Sequence, residues 1–218
     1  MTGTVHDIRT GRETGPEAFV GGTMMRSPAS VATPVSACRA REAACLALLG
    51  LAAGPGGATV AEATAVLAHV AAGEWRAPEG LLERSAEALV EADLVEAAPE
   101  GRLFVTRAGR DALDCLLTAP EPAPVDPVTR VVLSLRLCLL DRLPPEDRAA
   151  RADALAAAYG TVLDRRRAEA ERFCGGLPLL GLWSRERARR LEAERDLCAR
   201  VRDLFTLSGP LEGAAASG

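Results

Sequence analysis

Residues 91–113, EADLVEAAPEGRLFVTRAGRDAL, contain the end of one helix, a β-hairpin and the start of another helix within one short stretch. The segments 95–98 and 103–106 are apolar runs on either side of Pro99-Glu100-Gly101, where Pro and Gly supply the φ values that a tight turn needs. Thr106 is placed to cap the following helix, because its side chain can accept a bond from a first-turn amide. This stretch predicts a two-stranded hairpin enclosed between two helices.

Three helices are predicted before the hairpin. Leucine-rich residues 38–53 favour a first helix, which ends at the Gly54-Pro55-Gly56 break. The sequence TVAE at 59–62 matches a capping box and opens a second helix. Pro78 suits the first turn of a third helix, predicted over 78–93 with an apolar face. Three helices, a hairpin and a fourth helix follow the order of a winged helix-turn-helix domain.

The second half of the chain is predicted to be helical. Helices are expected at 128–143, 146–173 and 183–207, and the last two carry apolar residues at near-heptad spacing on Arg/Glu-rich surfaces. Such stripes would be exposed on lone helices, so a homodimer through an antiparallel helical domain is expected. The predicted stripe residues are Leu155, Tyr159, Val162, Leu163, Phe173, Leu191, Cys198, Val201 and Phe205.

Proline content separates the two halves. The segment 119–127, APEPAPVDP, holds four prolines in nine residues and is predicted to be a semi-rigid linker. The ends of the chain are rich in Gly, Ser, Thr and Ala and lack periodicity. The predicted organisation is a disordered tail at 1–36, a winged helix-turn-helix domain at 37–118, the linker at 119–127, a helical dimerisation domain at 128–207 and a disordered tail at 208–218. The fold class is mostly α.

This arrangement resembles the PadR family of bacterial transcriptional regulators over roughly residues 40–207. The first helix and its break match the family in LALLGLAAGPGG at 46–57, and LPPEDR at 143–148 matches the start of its long C-terminal helix. The end of the wing matches the pattern T-x-x-G-R-x-x-L at Thr106, Gly109, Arg110 and Leu113. The third helix departs from the family pattern, because Glu83 and Arg84 replace its Tyr and Pro, and Asp93 replaces a Gly.

The resemblance implies a homodimer that binds double-stranded DNA, with the third helix in the major groove and the wing beside it. The candidate DNA contacts are Arg76, Arg84, Ser85, Arg102, Arg107 and Arg110, although each arginine could equally be a surface charge or an internal partner of a glutamate. Related regulators bind planar ligands at the dimer interface, so Trp183 is a candidate effector contact. The alternative is that Trp183 anchors the last helix against its neighbour.

The charge distribution supports a second hypothesis. Residues 37–118 hold seven arginines against twelve acidic residues, whereas residues 128–207 hold sixteen arginines against twelve. The third helix carries an acidic stripe that opposes phosphate, formed by Glu79, Glu83, Glu87 and Glu91. The alternative function is therefore a winged-helix adaptor that has lost DNA binding and recognises a protein partner. A merely solvated helix face would also carry such charges.

Other classes of function receive little support from the sequence. Six cysteines without a C-x-x-C pair and two histidines predict no metal site, and no catalytic arrangement or cofactor motif is legible. No segment is apolar enough for a membrane span, because Arg136 interrupts the most apolar helix. The expectation is a cytoplasmic protein that is not an enzyme.

Overall fold

The structure is a computed structural model that describes residues 34–173 and 177–207. Residues 1–33 of the predicted N-terminal tail and the whole predicted C-terminal tail, 208–218, therefore lie outside the described residues. The first helix begins at Pro34, so the last three residues of the predicted N-terminal tail are helical rather than disordered.

Helices dominate the described residues, and a small sheet forms between the first and fourth helices. In chain order the elements are α1 (Pro34–Ala52), β1 (Ala58–Thr59), α2 (Val60–Ala71), α3 (Leu81–Glu91), β2 (Val95–Ala97), β3 (Arg102–Val105), α4 (Arg107–Thr118), α5 (Pro127–Cys138), α6 (Pro145–Phe173) and α7 (Pro178–Leu207). Single 3₁₀ turns lie at Pro99–Gly101 and Leu140–Arg142. The prediction of a mostly α fold is confirmed.

The sheet has three antiparallel strands in the order β1-β3-β2. The hairpin of β2 and β3 was predicted, and the turn at Pro99–Gly101 closes it with a bond from the Ala98 amide to the Arg102 carbonyl at 2.7 Å. The strand β1 was not predicted. It is only two residues long, and Thr59 both pairs with Arg102 and caps α2.

Two helix starts can be compared with the sequence signals. The capping box of α2 is confirmed, since the Thr59 hydroxyl accepts from the Glu62 amide at 3.1 Å and the Glu62 carboxylate accepts from the Thr59 amide at 2.7 Å. The predicted start of α3 at Pro78 is wrong. Pro78 instead forms a turn whose carbonyl accepts from the Leu81 amide, and Gly80, with φ of +68°, precedes the helix.

The T-x-x-G sequence after the hairpin has a clear structural cause. The Thr106 hydroxyl accepts from the Gly109 amide at 3.0 Å and donates toward the carbonyls of Asp93 and Leu94, at 2.7 and 3.1 Å. The start of α4 is thereby pressed against the backbone that enters β2. A Cβ at Gly109 would overlap the Leu94 carbonyl oxygen, so this position requires glycine.

The proline-rich segment is held by buried ion pairs. The Arg136 side chain is 1% exposed, and it donates to the Glu42 carboxylate at 2.6 Å, to the Glu121 carboxylate at 3.0 Å and to the Ala119 carbonyl at 2.9 Å. Arg151 of α6 also pairs with Glu121 and donates to the Ala119 carbonyl at 2.8 Å. These contacts join α1, the segment before α5, α5 itself and α6.

The core continues across the predicted domain boundary. α5 packs chiefly against α1, and buried residues of α1 to α4 belong to the same apolar cluster as those of α5 to α7. Leu49 in α1, Val132 in α5 and Leu163 in α6 are among its fully buried members. The segment that was predicted as a linker therefore runs along a shared core.

The helices α6 and α7 form an antiparallel pair within one chain. Asp153 pairs with Arg202 at 3.2 Å, and Arg167 pairs with Glu192 at 2.8 Å, so the two helices run in opposite directions. The expectation that their apolar stripes would be exposed in a monomer is wrong. Most stripe residues face the partner helix or the core, and five of them are almost fully buried, namely Leu155, Tyr159, Val162, Leu163 and Cys198.

Candidate nucleic-acid interface

The helix α3 has one buried and one exposed face. Leu82, Ala86 and Leu89 point into the core, whereas Glu83 and Glu87 are exposed on the opposite side. This amphipathic pattern follows from the 3.6-residue period of the helix. The exposed face is the one that a partner of this helix would meet.

The exposed face of α3 is acidic, as the sequence indicated. Glu83, Glu87 and Glu91 lie on α3, whereas Glu79, which was predicted on the helix, lies in the turn before it. All four are exposed, and none of them forms an ion pair with another described residue. Three of these carboxylates border a shallow groove with an apolar floor. We call this feature the acidic groove; its lining residues are Val60, Glu83, Ala86, Glu87, Val90, Glu91 and Leu103.

Ser85 is not available as a DNA contact. Its residue surface is 6% exposed, and it lies on the buried side of α3 beside Ala86. The prediction placed Ser85 near the helix start, but the helix begins at Leu81 and its inward face includes residue 85. This candidate is therefore wrong.

Two of the candidate arginines already have partners within the chain. Arg84 is exposed but folds back over Gly80, and its guanidinium donates to the Glu79 carbonyl at 3.2 Å. Arg102 donates to the Gly56 carbonyl at 2.8 Å and lies 3.5 Å from the Glu62 carboxylate. Arg102 thus ties β3 to the loop before β1 and to α2, instead of projecting from the hairpin.

The other three candidate arginines are exposed without an ion pair to any residue in the described part of the chain. Arg76 lies in the loop between α2 and α3, beside the half-buried Trp75. Arg107 and Arg110 lie in the first turn of α4, directly after the hairpin. None of these three guanidinium groups would have to break an ion pair with a described carboxylate in order to bind a phosphate. Among the candidate arginines they are therefore the best suited to bind phosphate.

Trp183 lies near the start of α7 with 56% of its surface exposed, and the Arg187 guanidinium stacks 5.4 Å from its ring centroid. Leu180 and Arg166 line a depression beside it. Part of the indole is covered, beside Arg166 and Glu169 of α6, so the alternative that Trp183 anchors α7 against its neighbour also stays open. Its role as a ligand contact stays a prediction.

Sequence reasoning missed a buried polar group between α5, α6 and α7. The Tyr159 hydroxyl hydrogen-bonds with the Glu194 carboxylate, and Ser134 bonds with the same hydroxyl. Burial raises the pKa of Glu194, although the bond from Tyr159 and the charge of Arg130 oppose this shift. Glu194 stands in a charged helix with many similar residues, so the sequence held no signal that this carboxylate is buried.

The described residues contain no group of three or more metal-ligating side chains. None of the described helices combines the length and apolar character needed to cross a membrane. No protein-family model matches the chain, and no curated protein matches it.

Proposed function

We propose that this chain is a winged helix-turn-helix transcriptional regulator of the PadR-like type, acting in the cytoplasm as a homodimer on double-stranded DNA. The observation that carries the proposal is the strand order β1-β3-β2, with β1 between α1 and α2 and the hairpin directly after α3. In a winged helix, this order makes α3 the recognition helix and the β2–β3 hairpin the wing.

The phosphate contacts proposed for this chain lie at the edges of α3. Arg76 precedes the helix, and Arg107 and Arg110 follow the hairpin. All three are exposed and carry no internal ion pair within the described residues. Contacts of this kind supply affinity through counterion release, while the acidic face of α3 lowers it. We therefore expect weak, strongly salt-dependent DNA binding.

A homodimer is supported by the outward face of α7. Leu197 and Leu204 are 44% and 63% exposed although their neighbours pack against α6. They lie one heptad apart, and Trp183 is two heptads before Leu197, so the three share one side of the helix. A second copy of α7 would cover this apolar side and place two DNA-binding units in one assembly.

The acidic groove favours a second candidate function. Its floor of Val60, Val90 and Leu103 is apolar, and its borders carry glutamates that have no cation within the described structure. An arginine-rich amphipathic segment of a protein partner would match both properties. In this function the chain is an adaptor, and α3 meets a protein instead of DNA.

One charge substitution separates the two functions. We expect Glu83→Gln together with Glu87→Gln to strengthen binding to random genomic DNA fragments, most strongly at low salt, because two charges that repel phosphate are removed. The matched control is Glu146→Gln with Glu171→Gln, which changes the net charge equally on the exposed surface of α6. Fluorescence anisotropy at several salt concentrations measures the effect.

The outcome decides between the proposals. Stronger DNA binding by the α3 variant alone supports the regulator. Absence of DNA binding by both variants and by the parent chain would contradict the regulator. Loss of binding to a synthetic arginine-rich amphipathic peptide in the α3 variant, with the control unchanged, would then support the adaptor.

A further inference from the structure

A small polar cavity lies where the two halves of the chain meet. It is bordered by the loop after α2, the segment before α5, and the helices α5, α6 and α7. The charged residues that line it are Glu74, Arg130, Arg166, Arg187, Arg190 and Glu194, with Val125 and Leu191 as apolar neighbours. Four arginines against two glutamates make the lining cationic.

Glu194 lines this cavity and carries an acceptor atom without a partner among the described residues. Its Oε2 atom is buried and has no hydrogen-bond partner within the described residues, while Tyr159 hydrogen-bonds with the carboxylate. A buried acceptor without a partner costs free energy, because it has lost its bond to water and gained none from the protein. A ligand that donates a hydrogen bond would remove this cost.

Two of the four lining arginines share one internal anion, whereas Arg166 pairs with Glu169 at 3.0 Å. Glu74, in the loop between α2 and α3, accepts from Arg130 Nη2 at 2.5 Å and lies 3.7 Å from Arg190 Nη1. The second contact is long, and the Arg190 side chain is 68% exposed. Arg187 forms no ion pair within the described chain and only stacks on Trp183. Arg187 and Arg190 are therefore the cations available to an external anion.

The size of the cavity restricts what can enter it. The whole cavity has room for roughly two water molecules. A hydroxyl group fits this space, whereas the charged end of a ligand must stay at the open arginine rim. We propose that the cavity binds a small hydroxylated anion, whose hydroxyl donates to Glu194 Oε2 and whose phosphate or carboxylate pairs with Arg187 and Arg190.

Such a ligand would compete with Glu74. An anion at Arg190 would replace its long ion pair with Glu74, so that among the described arginines only Arg130 would stay paired with Glu74. The loop that contains Glu74 leads directly into the exposed helix α3, so occupancy of the cavity would alter how α3 is presented. The binding step does not rest on the proposed function; only the effect of this change on DNA does.

The direct test is isothermal titration of the full chain with four probes. Glycerol 1-phosphate and glycerate carry both the anion and the hydroxyl, propyl phosphate lacks the hydroxyl, and glycerol lacks the charge. We expect one or both hydroxylated anions to bind, propyl phosphate to bind about tenfold more weakly than glycerol 1-phosphate, and glycerol not to bind. The two hydroxylated probes distinguish a phosphate from a carboxylate ligand. No binding of either, or equal affinity of the two phosphates, would overturn the proposal.

Two substitutions in α7 locate the site. Arg190→Ala should lower the affinity for the binding probe about tenfold, because it removes a cation of the rim without disturbing the core. Arg189→Ala is the matched control, since Arg189 is exposed, pairs with Glu186 and does not line the cavity. Equal losses in the two variants would contradict the assignment of the site.

The fluorescence of Trp75, the residue after Glu74, can report a change in the loop between α2 and α3. In a Trp183→Phe background, Trp75 is the remaining tryptophan of the chain and lies in the loop that Glu74 anchors. We expect its fluorescence to shift on addition of the binding probe, and the shift to be lost with Arg190→Ala. If the probe binds without a shift of the Trp75 fluorescence, Glu74 stays in place. This result would overturn the proposed competition between the ligand and Glu74 for Arg190.

Discussion

The Nη2 atom of Arg136 donates to Oε1 of Glu42 at 2.6 Å, and this bond joins α5 to α1 across 94 residues of chain. On its other side, Nη1 of Arg136 reaches Glu121 and the carbonyl of Ala119. This guanidinium is 1% exposed, and carboxylates from two separate segments of the chain pair with it.

Removing the guanidinium should therefore destabilise the fold strongly. We expect Arg136→Met to lower the free energy of unfolding by about 3–5 kcal/mol, because Glu42 and Glu121 would lose their shared cation inside the protein. Urea unfolding followed by circular dichroism measures the change. The control is Arg142→Met, at an exposed position of the 3₁₀ turn after α5, where we expect a change of roughly 0.5 kcal/mol or less. A loss for Arg136→Met as small as that of the control would show that the pairs contribute no net stability.

Two helical glycines give opposite predictions for the same substitution. Gly109→Ala should destabilise by about 1–3 kcal/mol, since the added Cβ overlaps the Leu94 carbonyl and forces α4 away from the hairpin. Gly160→Ala in α6 should stabilise by up to about 1 kcal/mol, because no atom lies within 4 Å of the added Cβ and alanine favours helix. Thermal unfolding of both variants tests this. A similar shift of the melting temperature in the same direction would be inconsistent with the tight contact at Gly109.

The buried carboxyl of Glu194 predicts a pH dependence of stability. Burial raises its pKa and the charge of Glu74 adds to the rise, while the bond from Tyr159 and the charge of Arg130 lower it. The folded chain thus holds this proton more tightly than the unfolded chain, in which the pKa is about 4.3. The contribution of Glu194 to stability is greatest below pH 4.3 and is lost as the pH rises through the folded-state value.

Glu194→Gln should remove this dependence. Gln cannot ionise, so the free energy of unfolding of the variant minus that of the parent should become more positive from pH 4 upward and then level off. Urea unfolding at several pH values gives this difference. Leu197→Ala, on the exposed side of α7, adds no titratable group and should give a difference independent of pH. A flat difference for Glu194→Gln would mean that the carboxyl titrates alike in both states.

The arginines around the hairpin should divide into two classes. Arg102→Ala should cost about 1–2 kcal/mol of stability, because the bond to the Gly56 carbonyl and the ion pair with Glu62 are lost, and it should leave the salt slope of DNA binding unchanged. Arg110→Ala should leave stability unchanged but reduce that slope by about one unit, as expected for one lost phosphate contact. The reverse assignment of the two effects would contradict the proposed interface.

Self-association through α7 can be tested with a pair of charges. Leu197→Glu with Leu204→Glu should convert a dimer into a monomer at micromolar concentration, because both residues lie on the exposed apolar side of the helix. Light scattering measures the mass. Val90→Glu, an exposed apolar residue of α3, is the control and should leave the dimer intact. A dimer that persists in the α7 variant would place the interface elsewhere.

The features that could be predicted from the sequence are those whose physical cause is local. The capping box of α2, the turn at Pro99–Gly101 and the cap at Thr106 each depend on residues within a few positions of one another. Two other contacts join residues about 45 positions apart, namely the pairing of β1 with β3 and the bond from Arg102 to the Gly56 carbonyl. Neither segment contains a sequence signal that identifies the segment it contacts. For the same reason, the sequence could not show that Arg102 has partners within the chain whereas Arg107 has no ion pair among the described residues.

The burial of Arg136 limits how this chain could be divided or recombined. The proline content suggests a seam at 119–127, yet a cut there would separate Arg136 from Glu42 and leave α1 without the helix that covers it. A chimera joined at these prolines would contain Arg136 without Glu42, its counterion from α1. Substitutions in one half of this chain therefore require matching substitutions in the other half.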